Sequence, residues 1–249
     1  MKKTLLVLPV YNEEKVLAKS VDRLVAYMSK NIKGDWSILI ADNASTDSTG
    51  KVAKALTKKY RKVKYAFIKA KGRGNALRHC WTTYKADVYA YCDIDLSTDI
   101  SGLKRLFDAV LEGNDVAIGN RYMKGSRTSR SADRLVLSKG YNALVRIFFR
   151  TSITDFQCGF KAVGGRVAKD VIPRTTSTNW FFDTEFLIIS ENARKYKIVQ
   201  IPVTWKEETG FKDVRKSKVN KLDTIIEYIS WLSALKKRIR TEKSARRAR

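Results

Sequence analysis

Two acids, Asp93 and Asp95, stand at i and i+2 where a short apolar run, Val88-Tyr-Ala-Tyr-Cys92, comes to an end. If that run is a strand, both carboxylates leave it on the same face. Two like charges so close call for a cation between them. Paired oxygen ligands suit a hard divalent ion, Mg²⁺ or Mn²⁺, which keeps several waters and shares its shell with substrate phosphates. Asp42 stands in the same way after Trp36-Ser-Ile-Leu-Ile-Ala41, placed to accept bonds from a base or ribose, or to cap the next helix. Asn43, Ser45 and Asp47 could do that capping instead. Lys71-Gly-Arg-Gly-Asn75 brings cations and flexible backbone to a helix start, an arrangement suited to phosphate. It lacks G-x-G-x-x-G and falls in the third strand–helix unit, which argues against a nicotinamide enzyme.

The elements that must position these groups can be read from periodicity. Thr4–Pro9, Trp36–Ala41, Val63–Ile68, Asp87–Asp93 and Asp115–Gly119 are apolar runs of strand length. Between them, Glu13–Met28, Ser48–Lys59, Gly74–Tyr84 and Ser101–Leu111 carry helical spacing. Such alternation predicts an α/β fold with a mostly parallel sheet covered on both faces. Ligands then bind beyond the C-terminal strand ends, where Pro9-Val-Tyr-Asn-Glu-Glu14 joins the three clusters above. The second half is less regular: a helix over Ala132–Phe149, a turn at Asp155–Lys161 leading into a strand, a helix over Phe181–Tyr196 and a strand over Ile198–Trp205. A long amphipathic helix over Leu222–Ile239 follows, its stripe formed by Leu222, Ile225, Ile226, Ile229, Leu232, Leu235 and Ile239. Neither repeat nor low-complexity linker divides the chain. The expected organisation is one domain, 1–220, with a C-terminal helix and basic tail, 221–249.

The 249 residues carry 50 basic and 25 acidic side chains, a net charge of +25 that implies an anionic partner. Thr49 to Ala86 contains no acid, and the tail from Lys236 carries eight bases against Glu242. A nucleic-acid module would explain the charge but not the carboxylate-bearing strand ends, and aromatic residues do not interleave with the bases as on a single-strand platform. Three cysteines, Cys80, Cys92 and Cys158, form neither a disulfide framework nor a metal pattern and fit a reducing compartment. No leader is visible and no run approaches the roughly 18 apolar residues of a spanning helix. A soluble or peripheral protein is expected.

Pro9-Val-Tyr-Asn-Glu-Glu14, Asp42-Asn-Ala-Ser-Thr-Asp47, Lys71-Gly-Arg-Gly-Asn75 and Asp93-Ile-Asp95, in this order, resemble family 2 glycosyltransferases of the GT-A fold. Gly119-Asn-Arg-Tyr122, Arg134-x-x-x-Ser138, Thr154-Asp-Phe-Gln-Cys-Gly-Phe-Lys161 and Trp180-Phe-Phe-Asp-Thr-Glu185 narrow the resemblance to the polyprenyl (dolichyl) phosphate glycosyltransferases, glucosyltransferases before mannose synthases. The likeness covers about residues 3 to 220. It implies a nucleotide-sugar-binding half, 1–120, in which Pro9, Tyr11, Glu13, Asp42 and Lys71 hold the donor and Asp93 and Asp95 hold the metal–diphosphate. It implies an acceptor half, 121–220, in which Arg121, Arg134 and Ser138 receive a lipid phosphate while Arg215 and Lys218 belong to a basic loop closing over the phosphates. Ser97 stands where mannose synthases carry Gln, which leaves a third metal contact open.

The implied reaction is an inverting, metal-dependent displacement at the sugar's anomeric carbon, with UDP-glucose favoured as donor and GDP-mannose possible. Asp95, Asp183 and Arg121 are the expected catalytic set. A phosphate acceptor needs cations more than a base. A family 2 enzyme acting on a glycan or protein hydroxyl is the alternative, and it would need a carboxylate base, Asp155 or Asp183. A nucleotidyltransferase, which would make pyrophosphate and ignore lipid phosphate, is a further rival. Tyr141, Leu144, Val145, Phe148 and Phe149, with Arg146 and Arg150 among them, read as core packing or as an interfacial helix. With the basic tail, they motivate peripheral attachment to the cytoplasmic face of an anionic membrane.

Overall fold

A computed structural model describes residues 2–206 and 221–247. Four strand–helix units and a fifth strand open the chain: β1 (Lys3–Val10), α1 (Leu17–Asn31), β2 (Asp35–Asp42), α2 (Thr49–Lys59), β3 (Val63–Phe67), α3 (Arg73–Thr83), β4 (Val88–Cys92), α4 (Leu103–Leu111) and β5 (Val116–Asn120). Then come β6 (Arg127–Ser129), α5 (Ala132–Phe149), β7 (Phe160–Gly164), α6 (Gly165–Asp170), α7 (Phe182–Asn192), β8 (Ile198–Pro202), β9 (Thr204–Lys206) and α8 (Lys221–Arg247).

The main sheet runs β3-β2-β1-β4-β7-β5-β8, all parallel except β7, which is antiparallel to both β4 and β5. Alternation along β1 sorts its side chains: Leu5 and Val7 join one core cluster, Leu6, Leu8 and Val10 the other. Helices α1, α2 and α4 cover the second cluster, while α3, α5, α6, α7 and α8 supply the first. The α/β expectation with helices on both faces therefore holds, and α8 is the C-terminal helix.

The departures have local causes. Helix α1 starts at Leu17 rather than Glu13, because residues 12–14 are held as a turn by the loop after β2. The single strand expected over Ile198–Trp205 breaks at Pro202–Val203 into β8 and β9, and β9 pairs with β6 in a separate two-stranded sheet. Strand β6 and helix α6 had no distinct signature in the sequence.

Helix α8 joins the core through Leu232, Leu235 and Ile239, each buried, whereas Ile226 and Ile229 remain exposed. The side chains of Leu222 and Ile225 lie outside those described. In α5, Tyr141 and Val145 are buried, and Leu144, Phe148 and Phe149 pack partly buried against the same core, as the packing reading had it. The opposite side of α5 leaves Val136, Leu137 and Ile147 exposed.

Candidate active site

The C-terminal ends of β1, β2 and β4 carry non-glycine residues in the left-handed region: Asn12 (φ 55°), Ala44 (φ 61°) and Leu96 (φ 52°). For Ala and Leu such a conformation costs about 1–2 kcal/mol, and strain of this kind gathers at functional sites. Cross-bonds hold the loops in place. Asn12 accepts from the Thr46 amide at 2.8 Å and its own amide donates to Ser45 Oγ at 3.0 Å. The Glu13 amide donates to Thr49 Oγ1, and Glu14 accepts from the Ser48 amide. Asp47 caps α2 by accepting from the Thr49 amide at 2.9 Å.

Asp42 is buried, and its carboxylate accepts from the Ser45 amide and the Tyr65 hydroxyl, both at 2.9 Å. Burial and that bond push the Tyr65 phenol up to about 12. Asp42 thus closes its own turn, while the cap on α2 falls to Asp47, one of the neighbours the sequence offered for it. Tyr11 is 38% exposed; the Lys71 ammonium lies 4.2 Å from its ring centroid and donates to its hydroxyl at 2.9 Å. Pro9, Tyr11, Glu13, Asp42 and Lys71 therefore share one edge of the sheet. Asn43 bridges to the third loop by accepting from the Gly72 amide.

That third loop is built differently from a phosphate cradle. The Gly74 and Asn75 amides at the start of α3 both donate to the Thr178 carbonyl, at 2.9 and 3.3 Å. Gly72 sits at φ 132°, and a Cβ there would fall 2.1 Å from the same carbonyl oxygen; at Gly74 it would fall 2.6 Å from the Ser177 carbonyl oxygen. The glycines are required by this close backbone approach, not by an anion, which corrects the sequence reading of the loop. What the loop delivers is Arg73. Its guanidinium bonds Asp93 Oδ1 at 3.1 Å and Asp183 Oδ2 at 2.9 Å, between the rings of Trp180 (4.4 Å) and Tyr91 (4.8 Å). The cation beside the D-x-D acids is, in the protein itself, Arg73.

Asp93 keeps about 36% of its side chain exposed, with Gly159 tight against it. The Asp93 carboxyl lies above its ordinary range, through burial first, opposed by Arg73 and reinforced by Asp95 and Asp183. Asp95 is half-buried and accepts from the Ser97 amide at 3.1 Å. Asp183 is buried, taking Arg73, the Tyr91 hydroxyl at 2.5 Å and the Lys161 ammonium at 3.4 Å. Lys161, fully buried on β7, also donates to the Cys158 carbonyl. Burial raises the Tyr91 phenol far above its usual range. The structure gives Asp183 an interior setting against Arg73, in place of the acceptor-side setting expected for it.

At the other end of the site, Arg121 grips buried Asp155 through two guanidinium bonds of 2.8 Å, and its amide donates to the same carboxylate at 3.0 Å. A bidentate pair of this kind holds an arginine firmly, so Arg121 is not a loose cation awaiting a phosphate. Ser138 is buried, sharing its hydroxyl with Tyr122 at 2.6 Å and Arg130 at 3.0 Å. Arg134 is exposed on the first turns of α5. Arg215 and Lys218 lie outside the described residues.

The glycosyl transferase family 2 model matches residues 5–171, about two thirds of the chain, with the D-x-D strand end inside the match. The chain belongs to glycosyltransferase family 2. This glycosyltransferase is 31% identical over 202 residues to glycosyltransferase AglD of Haloferax volcanii, covering 80% of this chain and 32% of that protein. It is 31% identical over 221 residues to the dolichyl-phosphate beta-glucosyltransferase of Homo sapiens (83% and 68% covered), and 29% identical over 226 residues to that of Saccharomyces cerevisiae (83% and 67%). The transferase thus spans about a third of the first relative and about two thirds of the others. Glucosyl-3-phosphoglycerate synthase from Mycobacterium tuberculosis, in complex with phosphoglyceric acid, superposes with TM-score 0.65 at 15% identity, covering 96% of this chain and 80% of that one. The same enzyme with Mn²⁺, UDP and glucosyl-3-phosphoglycerate gives 0.63 at 15%, covering 94% and 78%. These neighbours establish the GT-A fold.

Sequence reasoning missed Arg73, Tyr91, Lys161 and Arg130 in this transferase. Arg73 and Lys161 lay inside quoted motifs, but a residue's partner 110 positions away leaves no periodic trace. Tyr91 looked like ordinary strand core.

Proposed function

We propose that this glycosyltransferase moves a glucosyl unit from UDP-glucose to a polyprenyl (dolichyl) phosphate, with inversion at the anomeric carbon. One observation carries the choice of acceptor. Asp155 and Asp183, the two acids considered as bases, are buried and already bonded to cations, so neither is presented to a substrate hydroxyl. A hydroxyl acceptor needs such a base, whereas a lipid phosphate, with a second pKa near about 6, arrives ionised and needs only positioning. The relatives named as dolichyl-phosphate beta-glucosyltransferases support the same acceptor and glucose as the sugar. The neighbour crystallised with UDP-glucose and Mn²⁺ supports the donor and the metal.

In this reading Tyr11 and Lys71 offer the nucleoside a ring and a cation, with Pro9, Glu13 and buried Asp42 shaping the edge on which it lies. Asp93 and Asp95 hold Mg²⁺ or Mn²⁺. The donor set fits: Asp93, Asp95 and Asp183 place three carboxylates against two cations, Arg73 and Lys161. Two carboxylates leave the remaining positions of such an ion to water and diphosphate. When bound, the ion neutralises the diphosphate and eases its departure. Arg130, Arg134 and the Ser138 region receive the acceptor phosphate, with Arg121 held by Asp155; Arg215 and Lys218, outside the described residues, add positive charge for the phosphates. Residues 1–120 serve the donor and 121–220 the acceptor. The enzyme works from the cytoplasmic face of a membrane, attached peripherally.

The acceptor is tested by offering labelled UDP-glucose with dolichyl phosphate in one arm and dolichol in another. Label should enter lipid only with the phosphate. Equal transfer to the alcohol would contradict the reading.

A further inference from the structure

The positive partner of Asp93 in the protein itself is a side chain, and this has consequences for how a metal could enter. Arg73 is 9% exposed and divides its two terminal nitrogens between Asp93, at 3.1 Å, and Asp183, at 2.9 Å. Asp183 has two further donors, Tyr91 and Lys161, whereas about a third of Asp93 faces the site. Asp183 and the flanking Tyr91 and Trp180 rings hold the guanidinium of Arg73. Its backbone is pinned where Gly72 and Gly74 meet the Ser177 and Thr178 carbonyls. Glu185 holds that opposing segment from behind by accepting from the Thr176 and Ser177 amides. Arg78 adds bonds to the Thr175 and Ser177 carbonyls. Releasing Asp93 would still leave Arg73 paired with Asp183 and stacked on Tyr91 and Trp180, so no lone buried charge would result.

We propose that Arg73 is the resting counter-ion of the metal site: it neutralises Asp93 until the nucleoside diphosphate arrives, so that the divalent ion binds together with the donor rather than before it. The inference rests on the reading of Asp93 and Asp95 as metal ligands. A fixed cation within hydrogen-bonding distance of one ligand repels a divalent ion and occupies one of its oxygens. The diphosphate brings compensating negative charge and reverses that balance. Arg73 in this role is a positioning residue that acts through Asp93.

The test measures Mn²⁺ binding to the full chain by electron paramagnetic resonance, with and without UDP. The wild type should bind Mn²⁺ weakly alone and much more tightly with UDP. Arg73→Met should tighten binding of Mn²⁺ alone by about tenfold or more and reduce the coupling to UDP by the same factor. Arg73→Lys, which keeps the charge, should stay near wild type. A structural ion pair alone would shift stability and leave that coupling in place. Unchanged or weaker Mn²⁺ binding in a folded Arg73→Met overturns the proposal. So does a wild type that binds Mn²⁺ equally well with and without UDP, a result that requires no variant to fold. A wild type that binds no Mn²⁺ even with UDP removes the metal reading itself, a distinguishable failure.

Discussion

Gly159 has no room for a side chain: a Cβ there would lie 1.8 Å from Asp93 Oδ2. Gly159→Ala should therefore displace the first D-x-D acid while leaving both acids in the sequence. Overpacking at one methyl typically costs about 1–3 kcal/mol of stability. Turnover should fall far more than thermal unfolding suggests, and an alanine variant with wild-type turnover would contradict the close contact. The cysteines provide a second residue-scale check. Cys80 and Cys158 are buried, and burial pushes both thiols from 9.0 up to about 12. A raised folded-state value contributes stability that is complete below about pH 9 and lost as pH rises toward 12. The native protein should resist thiol reagents at pH 8, react fully once denatured, and lose stability progressively above pH 9 in equilibrium unfolding. Rapid native labelling would contradict it. The acids were legible in the sequence as a polar pair closing an apolar run. But β4 ends at Cys92, and Asp93 and Asp95 sit in the turn beyond it, closed by the Leu96 amide donating to the Asp93 carbonyl, so strand alternation does not set where they point. Arg73 was not legible, because its function is set by Asp183 on α7, which only the folded chain brings within reach.

Helix α8 shows what an amphipathic stripe does and does not say. Leu232, Leu235 and Ile239 are buried against α5 and α7, and Phe181 stacks on Trp231 at 5.3 Å. Arg238 donates to buried Glu185, the residue that holds the loop behind Arg73. The helix is part of the catalytic fold as well as its end. Leu235→Ala should destabilise the whole domain by about 2–5 kcal/mol in chemical denaturation; a loss within error would mean that α8 is only docked. The parallel βα units were readable because each apolar run is followed by helical spacing and a polar turn. The insertion of β7 between β4 and β5 was not, since an apolar run carries no mark of its direction. Lys161 on that strand is fully buried, where a lysine in a strand would ordinarily face solvent.

The whole molecule carries +25, and among the described residues no helix is long and apolar enough to cross a membrane. Exposed Val136, Leu137 and Ile147 on α5 stand beside exposed Lys139, Arg146 and Arg150, and α8 adds Ile226 and Ile229. Peripheral attachment through these surfaces is expected to show as binding to vesicles containing phosphatidylglycerol, weakened by about 0.5 M salt and by Ile147→Glu. Indifference to anionic vesicles at low salt would contradict it. The central claim is sugar transfer to a lipid phosphate at the D-x-D site. Its most direct test is partition of label into the organic phase when the protein meets labelled UDP-glucose, labelled UDP-N-acetylglucosamine or labelled GDP-mannose, with dolichyl phosphate and Mn²⁺ or Mg²⁺. The account requires lipid-linked label from UDP-glucose, dependent on both the lipid phosphate and the metal, and reduced on the order of a hundredfold or more in Asp95→Asn. Donor turnover with no lipid-linked product, or full activity in Asp95→Asn, would contradict it.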